Sequence, residues 1–543
     1  MANQITDNRT SIAVAQTSAP ASETWEASGG GGSITEDTDI FIQGTTSVAE
    51  QITSTRRVML YDNGTDLNLA NGHLYIWVNC GIVGLLDTKA NGGLTIRFTG
   101  ATSTDFFEFE VGGSDSWPTA VQGGWVMFVV DTEATPSATG GTPPATSAVR
   151  KVGITAVTGG TMTKTVDNTW VDAIWFLGDG NPGIIVEGRN AGTTDWNSAD
   201  IVTQLGSSTG MFKPGPGGTY VINAPIQFGI NDTSTHGFTD TNAVWLWETQ
   251  EFAATDLYSI SALGNSGGTT NVTFGVKTGT GADATGAQGL IITAESTAVR
   301  WAMDFDDPDL DSIGLYGCQF IHGGTFQLDD AAVDLASCLF LDCTQAQVSN
   351  ATIVRASVVD ANTADGTAFM ITDDFGDIAN CSFEFSDGHA IEITSTAVSS
   401  QNNVGNSFAG YTNSVNSTDA AILHSSAGSL TINSSGGSNL NTNSYRNTGG
   451  GSVTINNNVS TTLSGLVNPT EVRVYSAGTT TELAGQEDVT TGSFVFSLGA
   501  ATSVDIRIFA VSYEPADILG YTVGSSDTTI PVQQRFDRNY SNP

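Results

Sequence analysis

Between Ile313 and Asn413 one short pattern recurs: a small residue or Cys, one further residue, then a large apolar one. Its copies are Gly317-Cys318-Gln319-Phe320, Ser337-Cys338-Leu339-Phe340, Asn380-Cys381-Ser382-Phe383 and Asn406-Ser407-Phe408. Val358, in Ala356-Ser357-Val358-Val359, fits a fifth. The large residue falls at 320, 340, 358, 383 and 408, so the spacings are 20, 18, 25 and 25. A period of two within each copy points one set of side chains inward from a strand. Recurrence every 18–25 residues marks a solenoid, in which each turn buries its face only against the next. Strands this short, separated by Asn, Asp, Ser and Gly, predict an all-β chain built on a right-handed parallel β-helix. Its Cys and Phe positions form internal stacks.

The same alternation divides the rest of the chain. Residues 1–35 read as a flexible N-terminal arm with a Gly29–Gly32 spacer, in which Trp25 either anchors a neighbouring subunit or packs locally. Residues 36–178 offer about eight strands: Ile40–Ile42, Val58–Tyr61, His73–Val78, Leu94–Phe98, Phe106–Val111, Trp125–Asp131, Arg150–Ile154 and Val171–Phe176. That density suggests a two-sheet sandwich of jelly-roll type, with Glu133–Ser147 as an exposed loop. Residues 179–310 read as transitional, irregular β-helix rungs, including Gly183–Gly188, Tyr220–Asn223 and Trp245–Glu248. Residues 311–460 are the regular helix, ending in the thin turns Leu430-Thr431-Ile432-Asn433 and Val453-Thr454-Ile455-Asn456. Residues 461–543 alternate again and suggest a small C-terminal β-sandwich covering the open end. Their tail, Gln533–Tyr540, is locally basic and suits an acidic neighbour.

Charge narrows the function. The 543 residues hold 18 Lys plus Arg against 56 Asp plus Glu, a net charge of −38. So few cations exclude nucleic acid as a partner. The balance suits a protein held at high density or in salty water, where self-repulsion is screened. No apolar stretch approaches 18 residues, so membrane insertion is not expected. The polar N-terminus lacks a signal-peptide pattern, which leads to assembly in the cytoplasm. The five Cys, at 80, 318, 338, 343 and 381, are odd in number and include no CxxC. They read as reduced core residues.

Candidate chemistry is sparse. Asp304, Asp306, Asp307, Asp309 and Asp311 put five carboxylates into eight residues. Such a run suits Ca²⁺, a hard cation tolerant of irregular oxygen cages, or is a solvated acidic loop; its spacing is not an EF-hand. On adjacent turns about 4.8 Å apart, Asp342, Asp360, Asp373, Asp374, Asp377 and Asp387, with His389 and Arg355 nearby, offer the carboxylate pair a glycosidase needs. Of these, Asp373, Asp374 and Asp387 are the catalytic candidates, and Asp is equally a turn residue. His322, His389 and His424 show no metal-ligand spacing. The residues favour a non-enzymatic protein and leave an activity open.

Three resemblances extend this reading. Gly124–Asp131 with Val171-Asp172-Ala173-Ile174 resembles the concanavalin/laminin-G-like lectin sandwiches, which implies carbohydrate-binding ancestry. The alternating strands after residue 461 look like transthyretin-like sandwiches. The whole order of modules resembles the fibre, spike and decoration proteins of tailed bacteriophages. That resemblance implies a homotrimer located in the virion and assembled in the host cytoplasm. Its partners would be other virion structural proteins and a host-surface glycan. The runners-up are a tailspike-type polysaccharide depolymerase, as in the pectate-lyase-like superfamily, and a bacterial surface adhesin.

Overall fold

The structure is a computed structural model. It describes residues 4–13, 25–31, 34–42, 45–117, 124–160, 168–206, 211–247, 251–252, 258–294, 300–375, 378–384, 387–395, 400–435, 438–499, 502–524 and 527–538. It is nearly all β and includes parallel sheets. The chain divides into two compact units, Met1–Thr273 with Leu290–Ser312, and Phe274–Gly289 with Ile313–Pro543.

In the first unit, two antiparallel sheets share one core. One sheet contains Leu94–Thr99, Phe106–Gly112, Val149–Val157 and Ile52–Leu67; the other contains Gly72–Cys80, Trp125–Asp131 and Thr169–Gly178. Alternation sends Ile96, Phe98, Phe107 and Phe109 of one sheet against Ile76, Val78, Phe128 and Ile174 of the other. The opposite face of the second sheet is apolar as well: Tyr75, Trp77, Trp125, Met127 and Val129 are all buried. An isolated sandwich would leave those residues in water. Here Glu251–Phe252 pairs alongside Trp125–Asp131, and the Arg9 guanidinium lies over Tyr75 and Trp175 at 5.2 and 5.0 Å.

Three sequence expectations change in this unit. Where the structure describes the flexible arm expected over residues 1–35, it shows paired strands instead. Gln4–Asp7 pairs with Ile184–Glu187, Thr10–Ala13 with Thr169–Gly178, and Trp25–Gly31 with Ile52–Leu67. A Ser/Thr/Gly composition argues against a self-contained core, but not against adding strands to sheets formed elsewhere. Trp25 packs locally on Tyr61, ring centroids 5.7 Å apart. Ile40–Ile42 is a turn instead of a strand, because carboxylates take up its N–H groups: Asp37 accepts from Asp39 and Ile40, and Asp172 from Ile42. The Glu133–Ser147 excursion folds back through Ala138–Gly140, which pairs with Phe106–Gly112.

Parallel pairing begins within the same unit. Ile184–Glu187, Ile226–Phe228, Ser259–Ala262 and Trp301–Asp304 form one ladder, and Thr219–Ile222, Val244–Trp247 and Ile291–Ala294 another. One α-helix, Ser198–Leu205, interrupts them. Asn197 caps it through a reciprocal capping box with Asp200, and Gly206 ends it. That Asn-x-x-Asp signature stood in the sequence beneath the turn-rich composition.

The second unit carries the regular repeat. Successive strands visit three parallel sheets in turn, for example Val333–Ala336, Leu339–Leu341 and Gln345–Gln347, then Thr352–Val354, Ser357–Val359 and Ala368–Thr372. The repeated large residues are direct Cα partners: Phe320 with Phe340, Phe340 with Val358, Val358 with Phe383, Phe383 with Phe408. All five Cys are reduced and buried. Cys318, Cys338 and Cys381 sit two residues before the stacked apolar side chains. The Cys338 thiol donates to the Leu315 carbonyl at 3.1 Å, and that of Cys343 to Phe320 at 3.3 Å. Burial pushes the Cys381 thiol up to about 12, so it stays protonated and packs as a small hydrophobe.

Corners hold the ladders together. Gly317, Ser337, Arg355, Asn380 and Gly405 occupy one corner of consecutive turns, all at positive φ, and His322, Asp342 and Asp360 a second. At the first, Gly317, Ser337, Arg355 and Asn380 donate their N–H to Ala336, Val354, Ala379 and Val404 of the next turn at 2.8–3.0 Å. A left-handed non-glycine residue costs about 1–2 kcal/mol. Leaving the buried backbone groups unpaired costs about 1–3 kcal/mol each, so the strained corner is the cheaper choice. A hairpin, Val276–Thr278 with Thr285–Ala287, lies along this corner. Its Gly286 N–H donates to Ser337 Oγ, Asn380 Nδ2 donates to its Ala282 carbonyl, and its Lys277 pairs with Asp334.

The last turn is continuous with the C-terminal sheets. Val453–Ser464 is a single strand, parallel to Leu430–Ser435 through its first half and antiparallel to Ser493–Gly499 through its second. The expected boundary near residue 461 therefore falls inside one strand. Beyond it, Thr470–Ser476, Ser503–Phe509, Ala516–Thr522 and Glu482–Val489 form an antiparallel sheet over a core of Val472, Val474, Ile506, Ile508, Phe494 and Phe496.

Phe340 touches Phe320, Phe326 and Phe369, ring centroids 5.1–5.4 Å apart, and is fully buried. Phe340→Ala is expected to destabilise the second unit by about 3–5 kcal/mol, read as a lower midpoint in denaturant. A loss below about 1 kcal/mol would show that the site collapses around the deletion.

Candidate functional site

The outer face of the last turns carries a regular polar surface. Ser400–Val404, Leu430–Ser435 and Val453–Ser464 stack in parallel, pairing Ser400 with Thr431 with Thr454, and Asn402 with Asn433 with Asn456. Between them Gln401, Asn403, Ile432 and Ile455 turn inward and are buried. Two outward columns result, one of hydroxyls and one of amides, rising about 4.8 Å per turn. Asn456 Nδ2 donates to Asn433 Oδ1 at 3.0 Å, and Asn433 Nδ2 to Ser400 Oγ at 3.1 Å. These bonds set the direction of the Asn433 and Asn456 amides. The phases were legible in Leu430-Thr431-Ile432-Asn433 and Val453-Thr454-Ile455-Asn456; that the columns share a register and face solvent was not.

A groove of about 300 Å³ opens beside the columns, lined by Asp374, Phe375, Ile378, Ala379, Ser400, Gln401, Asn402 and Val404. The buried Gln401 builds it. Its Oε1 accepts from Phe375 N–H at 3.1 Å and its Nε2 donates to the Asp373 carbonyl at 3.2 Å. Val404 stands exposed at the rim. An apolar wall, amides able to donate and accept, and one carboxylate suit the ring faces and hydroxyls of a saccharide.

The sequence candidates for catalysis do not converge. Asp374 lines the groove, with Asp373 next to it in the chain. Asp387 lies before His389–Ile393, while Asp373 and Asp374 follow Ala368–Thr372, and the two strands pair Ala368 with His389 and Thr372 with Ile393. They therefore stand beyond opposite ends of a five-residue strand pair, which is itself about 13 Å long. A glycosidase pair needs about 5–9 Å. Asp342, Asp360 and Arg355 are corner residues at positive φ; Asp342 lies 3.7 Å from His322 and Arg355 3.8 Å from Asp283. Asp377 lies outside the described residues. His389 is buried against the Ala420 carbonyl, and desolvation pushes its pKa down, so the ring is neutral at pH 7.

His236, which stands in no motif, shows a dyad-like contact. Its Nδ1 accepts from Gly188 N–H at 2.8 Å, which puts its proton on Nε2, 3.1 Å from Asp232 Oδ1. Asp232 also accepts from Ser234 and Asn265. Both ring nitrogens are thus engaged in holding a turn.

In the acidic run, Asp307 accepts the Asp309 N–H at 3.0 Å, and Asp311 accepts the Thr270 N–H at 2.7 Å. Leu310 is buried between them, while Asp304, Asp306, Asp309 and Asp311 are exposed. Among the described residues no three His, Cys, Asp or Glu side chains form a group able to hold a metal ion. No protein-family model matches the chain, and no curated protein matches it.

The most perturbed amine belongs to Lys213, in the short strand Phe212–Pro214. It is buried, its Nζ has no hydrogen-bond partner among the described residues, and burial pushes its pKa down to about 8. The unfolded chain binds this proton up to about pH 10.4, so between pH 8 and that value the unfolded state holds more protons and stability rises with pH. Lys213→Met is expected to stabilise the protein by about 2–3 kcal/mol at pH 7, with the advantage shrinking towards pH 10. Paired thermal melts at the two pH values check this; a pH-independent difference overturns the desolvation account.

Proposed function

We propose that the chain is a structural and adhesive component of a tailed-bacteriophage particle, a fibre, spike or capsid-decorating protein. It works as a homotrimer among other virion proteins and presents its outer polar columns to a host-surface glycan. On this reading the three parallel sheets are the faces of a right-handed β-helix. The two-sheet body of the first unit is a jelly-roll or concanavalin-like sandwich, and the C-terminal sheets form a small sandwich.

The observation that carries the adhesive part is the pair of columns, Ser400–Thr431–Thr454 and Asn402–Asn433–Asn456, beside the Asp374 groove. Their spacing is fixed by the strands beneath, and Ser400, Asn433 and Asn456 are further held by bonds to one another. A glycan binding there meets donors and acceptors already oriented, which lowers the ordering cost of recognition. The particle setting is supported by the net charge of −38, which keeps densely arrayed copies from associating at random. The lone carboxylate of the groove favours binding over cleavage.

Glycan-array binding by the wild-type chain and by the double variant Asn402→Ala/Asn433→Ala tests adhesion. We expect about a tenfold or larger loss of affinity, roughly 1.4 kcal/mol, with an unchanged melting temperature. Equal binding by both proteins removes the columns from the site. Shortening of a bound polysaccharide by wild type and not by Asp374→Asn replaces this reading with the depolymerase. Mass determination in solution, with antibody labelling of intact particles, tests the assembly: three copies and particle-bound label are expected, and a monomer absent from particles overturns it.

A further inference from the structure

The C-terminal sheets expose an unusual share of apolar surface. Of the large hydrophobic side chains standing in solvent, Leu483, Val495, Phe509, Val511, Leu519 and Phe536 all fall in this region. Three of them lie around one turn. Phe509 ends the strand Ser503–Phe509, Val511 follows it, and Phe536 is held beside the same turn. Tyr513 and Phe536 form a β-bridge, Glu514 N–H donates to the Arg535 carbonyl, and Asp537 N–H to that of Ser512. The Phe536 ring meets Tyr513 edge-on at 5.8 Å yet remains 60% exposed. Clustered apolar groups left in water mark an interaction surface.

The same turn, through Phe509, Ala510 and Val511, also lines a groove of about 360 Å³, together with Pro469, Thr470, Glu471, Glu487 and Asp488. Its apolar wall is Pro469, Phe509 and Val511; its rim is acidic. Arg473 bonds Glu471, Glu482 and Glu487 together, and Asp488 adds a further carboxylate to the groove lining. The rim is therefore net negative in a chain that already carries 56 acidic residues and only 18 basic ones. Two of those scarce basic residues, Arg535 and Arg538, flank Phe536.

We propose that this groove receives the segment Arg535–Arg538 of a second copy of the chain. The Phe536 ring fills the space between Pro469, Phe509 and Val511, while Arg535 and Arg538 of the incoming segment meet Glu487 and Asp488. Because groove and tail are different surfaces of each copy, the contact is head-to-tail, and it accounts for a closed trimer where the rotation between copies closes. It rests on the oligomeric reading above and gives that reading a surface. The exposed acid–base pairs set register and salt dependence, whereas the buried ring carries most of the affinity.

The test uses full-length chains. Light-scattering mass is measured for wild type, Phe536→Ser, Val511→Asp, Arg538→Glu and Glu487→Lys, each checked for an unchanged β-sheet circular dichroism spectrum. Oligomeric wild type, at least tenfold weaker association in each single variant, and recovery on combining Arg538→Glu with Glu487→Lys support the contact. In parallel, a labelled synthetic peptide spanning residues 533–539 is titrated onto Phe536→Ser by fluorescence anisotropy, and its binding must be lost with Glu487→Lys. If wild type is oligomeric, the variants associate normally and the peptide does not bind, the groove contact falls and the oligomer stands. A monomeric wild type overturns both. Peptide binding to a monomer shows that the groove takes basic-aromatic segments of other proteins and overturns the exchange between copies.

Discussion

Every strand of the repeat depends on the strand one turn away. A three-residue strand such as Leu339–Leu341 cannot bury its own face, nor bond its own backbone. It gains both only if the next turn arrives in register. That constraint explains why Phe320, Phe340, Val358, Phe383 and Phe408 stack as direct partners. It explains the corners too. A slip by one residue at Ser337 or Arg355 would turn every following side chain from core to solvent, so left-handed backbone is tolerated at residues that do not favour it.

The same constraint produces the candidate site. Once the inner positions are fixed, the outer ones have no freedom in spacing, and Thr and Asn at matching phases become straight columns. Asn403 and Asn406 show how the core manages the end of the thiol stack. Asn406 stands where Cys318, Cys338 and Cys381 stand in other turns, and it bonds the Ile378 carbonyl, the Cys381 N–H and Asn403. A buried amide is stable there because its partners are backbone groups of adjacent turns. The polar surface and the polar plug are thus two products of one register.

Much of this was legible residue by residue. Seven of the eight strands expected before residue 179 are present, because Phe107-Glu108-Phe109-Glu110-Val111 and its like alternate strongly. The eighth, Ile40–Ile42, failed because Asp37 and Asp172, 130 residues apart from Ile42 in the second case, supply what a ladder would. The N-terminal strands were missed for a related reason: an edge strand borrows its partner's core and needs no strong pattern of its own. Asp342 and Asp360, read as candidate carboxylates, are turn residues whose φ values no spacing reveals. Asp374 was singled out among the carboxylates, but the groove around it depends on Gln401, a residue with no motif.

By itself the sequence determined the periodicity, the inward phase and the reduced state of the stacked thiols. Those follow from local alternation and from side-chain chemistry. Tertiary structure alone decided which carboxylates stand apart, which outer residues align, and which strands the termini join. Such facts are set by the register between segments tens to hundreds of residues apart. One hydrogen-bond step in that register moves a side chain from core to surface, and no single turn contains the information that fixes it.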